Sequence, residues 1–272
     1  PVRRFLGPDG WRGLLEMWGF YLIPAAVWIA ALRLRWPGRW WQALLAGGLV
    51  GWVTEAAMVP AVYEAPPLSF VWTSLAWHAP VDVVLGLWLL PRLLDRPARL
   101  AALLVLVGAA MGIWANWTRG THDEALNLGL ADYAFLIGIS TVLVALGAFI
   151  QAAYGPSARH LPGWGAWAIL AGAAGLMVLQ GIVAPIWLVA LLLIAAATLW
   201  VLLRTPDCAT EPQVSERAAL TGFAAFAGAA FGAYALSSAT WPVPDVEFLA
   251  FVAFCAGTAL FCYGLVRAFI SH

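Results

Sequence analysis

Residues 185–203 read PIWLVALLLIAAATLWVLL, nineteen positions without a charge, closed at the next position by Arg204. As a helix rising 1.5 Å per residue, such a run covers about 28 Å, close to the roughly 30 Å hydrocarbon core of a bilayer. It has no polar face to turn towards water, so lipid is the solvent that suits it. Working outward, eight more apolar runs follow the same rule, at 14–33, 41–62, 70–92, 98–116, 132–154, 165–183, 217–239 and 247–269. The pattern predicts an all-α, polytopic transmembrane helix bundle of about nine spans. The alternative is eight, if the Gly181–Pro185 region leaves 165–203 as one span plus a broken one.

Composition agrees. The chain of 272 residues is 63% hydrophobic and 10% charged, where soluble domains carry about 25% charge. The longest polar connectors are 117–131 and 204–216, so the reading is a single transmembrane domain over 1–272 with no soluble domain. Residues 1–13 are expected along the interface, with Pro8-Asp9-Gly10 as a turn. Formal net charge is zero, which gives no reason to expect nucleic acid as a partner. Many of the 17 tryptophans lie near run ends, as Trp36, Trp40, Trp41, Trp117, Trp164 and Trp241 do, which suits an interfacial aromatic belt. Cys208, Cys255 and Cys262 form no ligand motif and read as buried apolar thiols.

All 14 basic residues are arginines. With the 34–40 loop in the cytoplasm, Arg33, Arg35, Arg39, Arg92, Arg96, Arg99, Arg159, Arg204, Arg217 and Arg267 fall inside, and Arg3, Arg4, Arg12 and Arg119 outside. Ten against four follows the positive-inside rule and predicts an outer N-terminus and a cytoplasmic C-terminus. The lack of lysine, with abundant Ala, Gly and Arg, suggests a GC-rich bacterial genome and hence a bacterial cytoplasmic (inner) membrane.

Ionisable residues inside spans are expensive in lipid, so each is a functional candidate. Three stand out: Glu55 in the second span, and His78 and Asp82 in the third. Gly47, Gly51 and Glu55 recur every four residues, so two glycines share the glutamate's face and let a neighbouring helix approach closely. Ser74, His78 and Asp82 repeat the same step, and Pro80 should kink the helix between histidine and aspartate. Counted from the 63–69 turn, Glu55 and His78 stand at similar depth on adjacent helices, so a Glu–His or Glu–His–Asp network is expected in the outer half of the membrane. An imidazole held by carboxylates can move protons near neutral pH. Glu55, His78 and Asp82 are also acceptable metal ligand types. His122, His160 and His272 lie in loops or at the terminus, which leaves no pair of span histidines for a bis-histidine haem, and the absence of lysine excludes a retinal Schiff base.

More polar groups are expected on the outer side. Tyr63, Glu64, Ser74, Asn116, Asp132 and Gln180 are the candidates for substrate binding or an entrance. His122, Asp123, Glu124, Asn127, Tyr133, Asp245 and Glu247 add to an acidic outer face. In the eighth span Gly228 and Gly232, with Gly222, Ala225 and Ala229, form a small-residue stripe. Such stripes ordinarily pack neighbouring helices and otherwise receive a membrane-protein partner.

Ser74-x-x-x-His78 resembles an element of membrane hydrolases with a zinc site, but their further histidines are missing here. The stretch from Tyr63 to His78 resembles membrane enzymes of carotenoid modification. Neither resemblance covers enough of the chain to carry residue roles across. Three functions fit the residues. The first is an intramembrane enzyme acting on a lipid-soluble substrate such as an isoprenoid or phospholipid, with Glu55 and His78 as the acid–base pair, Asp82 orienting the histidine and Glu64 or Asp132 near the entrance. The second is a proton- or cation-coupled transporter or channel using the same residues. The third is a non-catalytic accessory subunit of a larger membrane complex, binding lipid or pigment. Membrane lipids are expected partners of all three.

Overall fold

The computed structural model describes residues 10–58, 60–94, 96–116, 129–154, 160–206, 216–240 and 246–270. Readings that rest on Arg3, Arg4, Pro8, Asp9, Trp117, Arg119, His122, Asp123, Glu124, Asn127, Arg159, Cys208, Trp241, Asp245 and His272 lie outside the described residues. Among the described residues every regular element is helical, and no strand occurs. The elements follow the apolar runs: α1 (Gly10–Leu34), α2 (Trp40–Val53), α3 (Leu68–Leu93), α4 (Pro97–Trp114), α5 (Leu130–Tyr154), α6 (Gly163–Gly181), α7 (Pro185–Arg204), α8 (Glu216–Thr240) and α9 (Val246–Ile270). Seven of them, α3 to α9, contain stretches long and apolar enough to cross a membrane. The 165–203 region is two helices. Proline at the first position of α7 suits a helix start, where its missing N–H has no intrahelical partner.

The outward surface is apolar. Leu106, Leu179, Ile186 and Leu193 are 65–78% exposed, on helices with almost no charge along their length. A water-soluble domain does not present such contiguous apolar surface, whereas lipid accommodates it. The two cysteines of α9, Cys255 and Cys262, belong to this outward surface and are exposed, contrary to the expectation of buried thiols. Both are offset from the face through which α9 packs, which carries Gly257, Phe261 and Gly264.

The chain forms two compact units. One contains residues 17–89, 157–210 and 250–272, hence most of α1, α2, most of α3, α6, α7 and most of α9. Its centre is α2, in which every residue from Trp41 to Val53 is buried. A helix that is apolar all round needs protein on all sides, and its neighbours come close where α2 is small. A Cβ on Gly47 would stand 2.8 Å from the Ala79 Cα of α3, and one on Gly48 would stand 3.2 Å from the Phe261 ring of α9. Gly257 of α9 in turn fits against Ala76 of α3, where a Cβ would meet backbone at 2.9 Å. Trp52 donates its indole N–H to the Phe70 carbonyl at 2.9 Å and stacks edge-on with Phe261.

The second unit contains residues 1–16, 90–156 and 211–249, with α4, α5 and α8. Here α4 and α8 pack backbone to backbone. Gly108 and Gly112 of α4 lie against the carbonyls of Phe226 and Ala230, and Gly222 of α8 fits against Leu100 and Leu104. Tyr133 of α5 stacks on Tyr234 of α8 with ring centroids 3.9 Å apart. The contact therefore uses Gly222, Phe226, Ala230 and Tyr234, a four-residue series on α8. Gly228 and Gly232 have nothing within 4 Å of an added Cβ, so they do not pack a helix among the described residues as their spacing suggested. α8 is small-residued on more than one side, and the face used is the one carrying Phe226 and Tyr234.

Candidate functional site

The helix pitch changes where the ionisable residues sit. α2 passes into one π-helical turn over Thr54–Met58, which contains Glu55. α3 is π-helical from Ser74 to Leu89, which contains His78, Pro80 and Asp82. The π form begins at Thr73, whose carbonyl accepts both the Trp77 N–H at 3.0 Å and the His78 N–H at 2.9 Å. Proline has no N–H to continue the α ladder, and the widened turn takes up that break in place of a simple kink. A four-residue step still returns to the same face, and π segments recur at functional sites.

On that face His78 is bonded at both ring nitrogens. Its Nε2 meets the Glu55 Oε1 at 2.9 Å, and its Nδ1 meets the Asp82 Oδ2 at 2.6 Å. The glycines set this up. Gly51, one turn before Glu55, sits against the Ser74 backbone, one turn before His78. Without a Cβ between them the two helices come close enough for the side chains of the following turn to touch. The exposures are unequal: the Glu55 and His78 side chains are each 10% exposed and the Asp82 side chain 44%. His78 lies ten residues after Leu68 and fifteen before Leu93, so the group sits on the Leu68 side of the middle of its span.

Two contacts to carboxylate oxygens require two hydrogens between the partners. A neutral imidazole supplies one and an imidazolium both. Either the ring is protonated between two carboxylates, or a neutral ring donates to one and accepts from a protonated carboxyl. In both cases two protons are shared by three groups, with a net charge of minus one. The two ring nitrogens point in opposite directions, so Glu55 and Asp82 stand on opposite sides of the imidazole and the three do not converge on one point, as ligands of a single ion must. The Tyr21 phenol of α1 lies within electrostatic range of both Asp82 and Glu55. The sequence pattern did not single it out, because a search for costly charges within spans passes over an uncharged phenol.

The other candidates fall in three places. Tyr63, Glu64 and Gln180 line one open cleft of about 470 Å³ with Leu179, Ile182 and Val183. The Tyr63 hydroxyl donates to the Met177 carbonyl at 3.0 Å, and burial raises that phenol above its ordinary range, which keeps it a donor. Ser74 is fully buried with its Oγ unpartnered, so it does not lie open at an entrance. Asn116 and Asp132 belong to the unit without the histidine. Asn116 is also buried, donating to the Gly112 carbonyl at 3.2 Å and to Ser237 Oγ at 2.6 Å. Asp132 is exposed in the first turn of α5, where a carboxylate complements the helix dipole.

No protein-family model, curated protein or solved structure matches this chain.

Proposed function

We propose that this is an intramembrane enzyme that moves a proton on a lipid-soluble substrate through Asp82, His78 and Glu55. The observation that carries the reading is a single imidazole bonded at both nitrogens to carboxylates of very different exposure. Asp82 is the accessible end, where a substrate hydroxyl, carbonyl or double bond exchanges a proton. His78 passes charge along the chain, and buried Glu55 fixes the ring and balances the imidazolium. The outward apolar surface supplies the route for an isoprenoid or acyl substrate, and the Tyr63–Glu64–Gln180 cleft is an entrance for its polar end.

The setting is the cytoplasmic membrane of a bacterium, with α2 to α9 and the apolar part of α1 crossing it, N-terminus outside and C-terminus inside. In support, hydrogen bonds from Arg33 to the Leu161 carbonyl, from Arg35 to the Leu203 carbonyl and from Trp88 to the Pro37 carbonyl gather the arginine-bearing helix ends of one unit on one side.

The test uses protein reconstituted in liposomes of total bacterial lipid, with products read by mass spectrometry. Wild type should convert a lipid-soluble species, and Glu55→Gln should abolish conversion while leaving the melting temperature within a few degrees. Equal turnover by Glu55→Gln, or no conversion by wild type, overturns the reading. A second reading, proton-coupled transport, is favoured by the unbroken run of hydrogen bonds from an open to a buried carboxylate. It predicts acidification of liposomes loaded with a pH-sensitive dye under an imposed gradient, lost in His78→Ala; silence in wild type argues against it.

A further inference from the structure

At the arginine-bearing end of the histidine-containing unit, three guanidinium-bearing residues converge on the last turn of α7. Arg35 donates from Nη2 to the Leu203 carbonyl. Arg204 follows that carbonyl in the chain and lies with its guanidinium carbon 3.8 Å over the Trp200 ring. Arg39 is tied to the same place through Gln42. That fully buried side chain accepts from the Arg39 backbone N–H at 2.9 Å and donates to the Pro206 carbonyl at 3.0 Å. Arg33, on the same helix end as Arg35, is held by the Leu161 carbonyl.

These contacts use few of the available donors. Each guanidinium has five N–H groups in a fixed fork. Arg35 commits one to Leu203, and its Nε is buried without a hydrogen-bond partner. Arg204 is held by the face of an indole, a contact that uses none of its N–H donors, and no hydrogen bond from it is made among the described residues. The Arg35 and Arg204 side chains are thus oriented before any ligand arrives, which removes part of the ordering entropy from binding. The local negative charge is small. A helix C-terminus carries about half a unit, and three arginines carry three. Among the described residues no carboxylate pairs with Arg35, Arg39 or Arg204. The corner is left with a surplus of positive charge.

The surface running from this corner along α7 is apolar and open. Leu193, Ala197, Trp200 and Arg204 recur at four, three and four residues and so share one helix face. Leu193 is 65% and Trp200 48% exposed. An oriented cationic corner at the head of an uncovered apolar stripe matches a molecule with an anionic head and hydrocarbon tails. We propose that the Arg35–Arg39–Arg204 corner binds the phosphodiester headgroup of an anionic phospholipid, with its acyl chains along the Leu193–Ala197–Trp200 face of α7. Arg suits this role because its planar fork pairs two phosphate oxygens at once. The site is separate from the proton-transfer group, and its test does not depend on any catalytic activity.

The experiment uses full-length protein in a neutral detergent, with bound lipid read by native mass spectrometry and stability by thermal melting. Wild type should retain phosphatidylglycerol or cardiolipin through delipidation and should melt higher when either is added, but not when phosphatidylcholine is. Arg39→Gln with Arg204→Gln should weaken that binding roughly 10- to 30-fold, whereas Arg99→Gln, an exposed arginine of the other unit, should not. If the double variant fails to fold, Arg204→Gln alone is read the same way, and the wild-type lipid comparison stands by itself. Equal retention of phosphatidylcholine, unchanged binding by the variant, or full protection by inorganic phosphate alone would each overturn the proposal; the last would mean a site for a free anion.

Discussion

Replacing Gly51 with alanine tests the contact on which the carboxylate–imidazole group depends. A Cβ there would stand 2.8 Å from the Ser74 Cα and 2.9 Å from its carbonyl carbon, with the carbonyl oxygen nearer still. These are backbone atoms and cannot rotate away. Ordinary contact begins at 3.4 Å, so α2 and α3 must separate by at least about 0.6 Å at this turn. One turn on, that shift takes the 2.9 Å Glu55–His78 contact to about 3.5 Å, where a hydrogen bond is effectively lost. Overpacking costs about 1–3 kcal/mol. Loss of an interhelical polar contact in a membrane protein adds roughly 0.6–1.7 kcal/mol. Alanine returns about 1 kcal/mol through helix propensity. The expected net loss is about 1–4 kcal/mol, accompanied by loss of any activity that needs the Glu55–His78 bond. The assay is unfolding in mixed micelles, followed by tryptophan fluorescence, beside Gly228→Ala, whose new methyl meets nothing within 4 Å. If Gly51→Ala unfolds together with Gly228→Ala and wild type, the close approach of α2 and α3 is wrong.

In the other unit, Gly112→Ala should destabilise by about 1–3 kcal/mol, because its methyl would strike the Ala230 carbonyl and stand 2.8 Å from the Tyr234 nitrogen; an unchanged melt would deny that helix contact. Glu55→Ala should cost more stability than Asp82→Ala, by about 1–2 kcal/mol, since it strips a partner from a buried ring nitrogen while Asp82 is 44% exposed. The reverse order in the same unfolding assay would contradict the burial described. Tyr63→Phe removes only the hydroxyl bonded to the Met177 carbonyl and should cost about 0.6–1.7 kcal/mol without changing the secondary structure seen by circular dichroism. A larger loss would mean that the hydroxyl has a role beyond this bond.

Much of the architecture was legible because lipid imposes a simple rule on apolar length. Each of the nine runs became a helix, and the 165–203 region, which the sequence left open between two spans and one span plus a broken one, divides at Pro185, where proline suits a helix start. The Gly47–Gly51–Glu55 and Ser74–His78–Asp82 steps brought the right faces together, because a four-residue period survives the change from α to π pitch. The pitch change itself was not readable. Pro80 announces a missing donor, but whether the helix kinks or widens depends on what packs against it. The α8 stripe misled because glycine reports room for a neighbour without saying which neighbour comes. The contact was decided by Gly108 and Gly112 on α4, a pair at the same four-residue spacing as Gly228 and Gly232, and spacing alone does not rank the two. The buried state of Ser74 and Asn116 was likewise invisible, since small polar residues satisfy a helix interior and a cleft rim equally well.

The enclosure of α2 has a practical side. A photoreactive probe dissolved in the acyl phase should tag α6, α7 and α9, which present bare hydrocarbon surface, and pass over every side chain from Trp41 to Val53. During biogenesis the same helix has no permanent place beside lipid, so it must be sheltered by its neighbours soon after leaving the translocon. Truncations that omit α9 would leave the Leu45 and Gly48 sides of α2 bare.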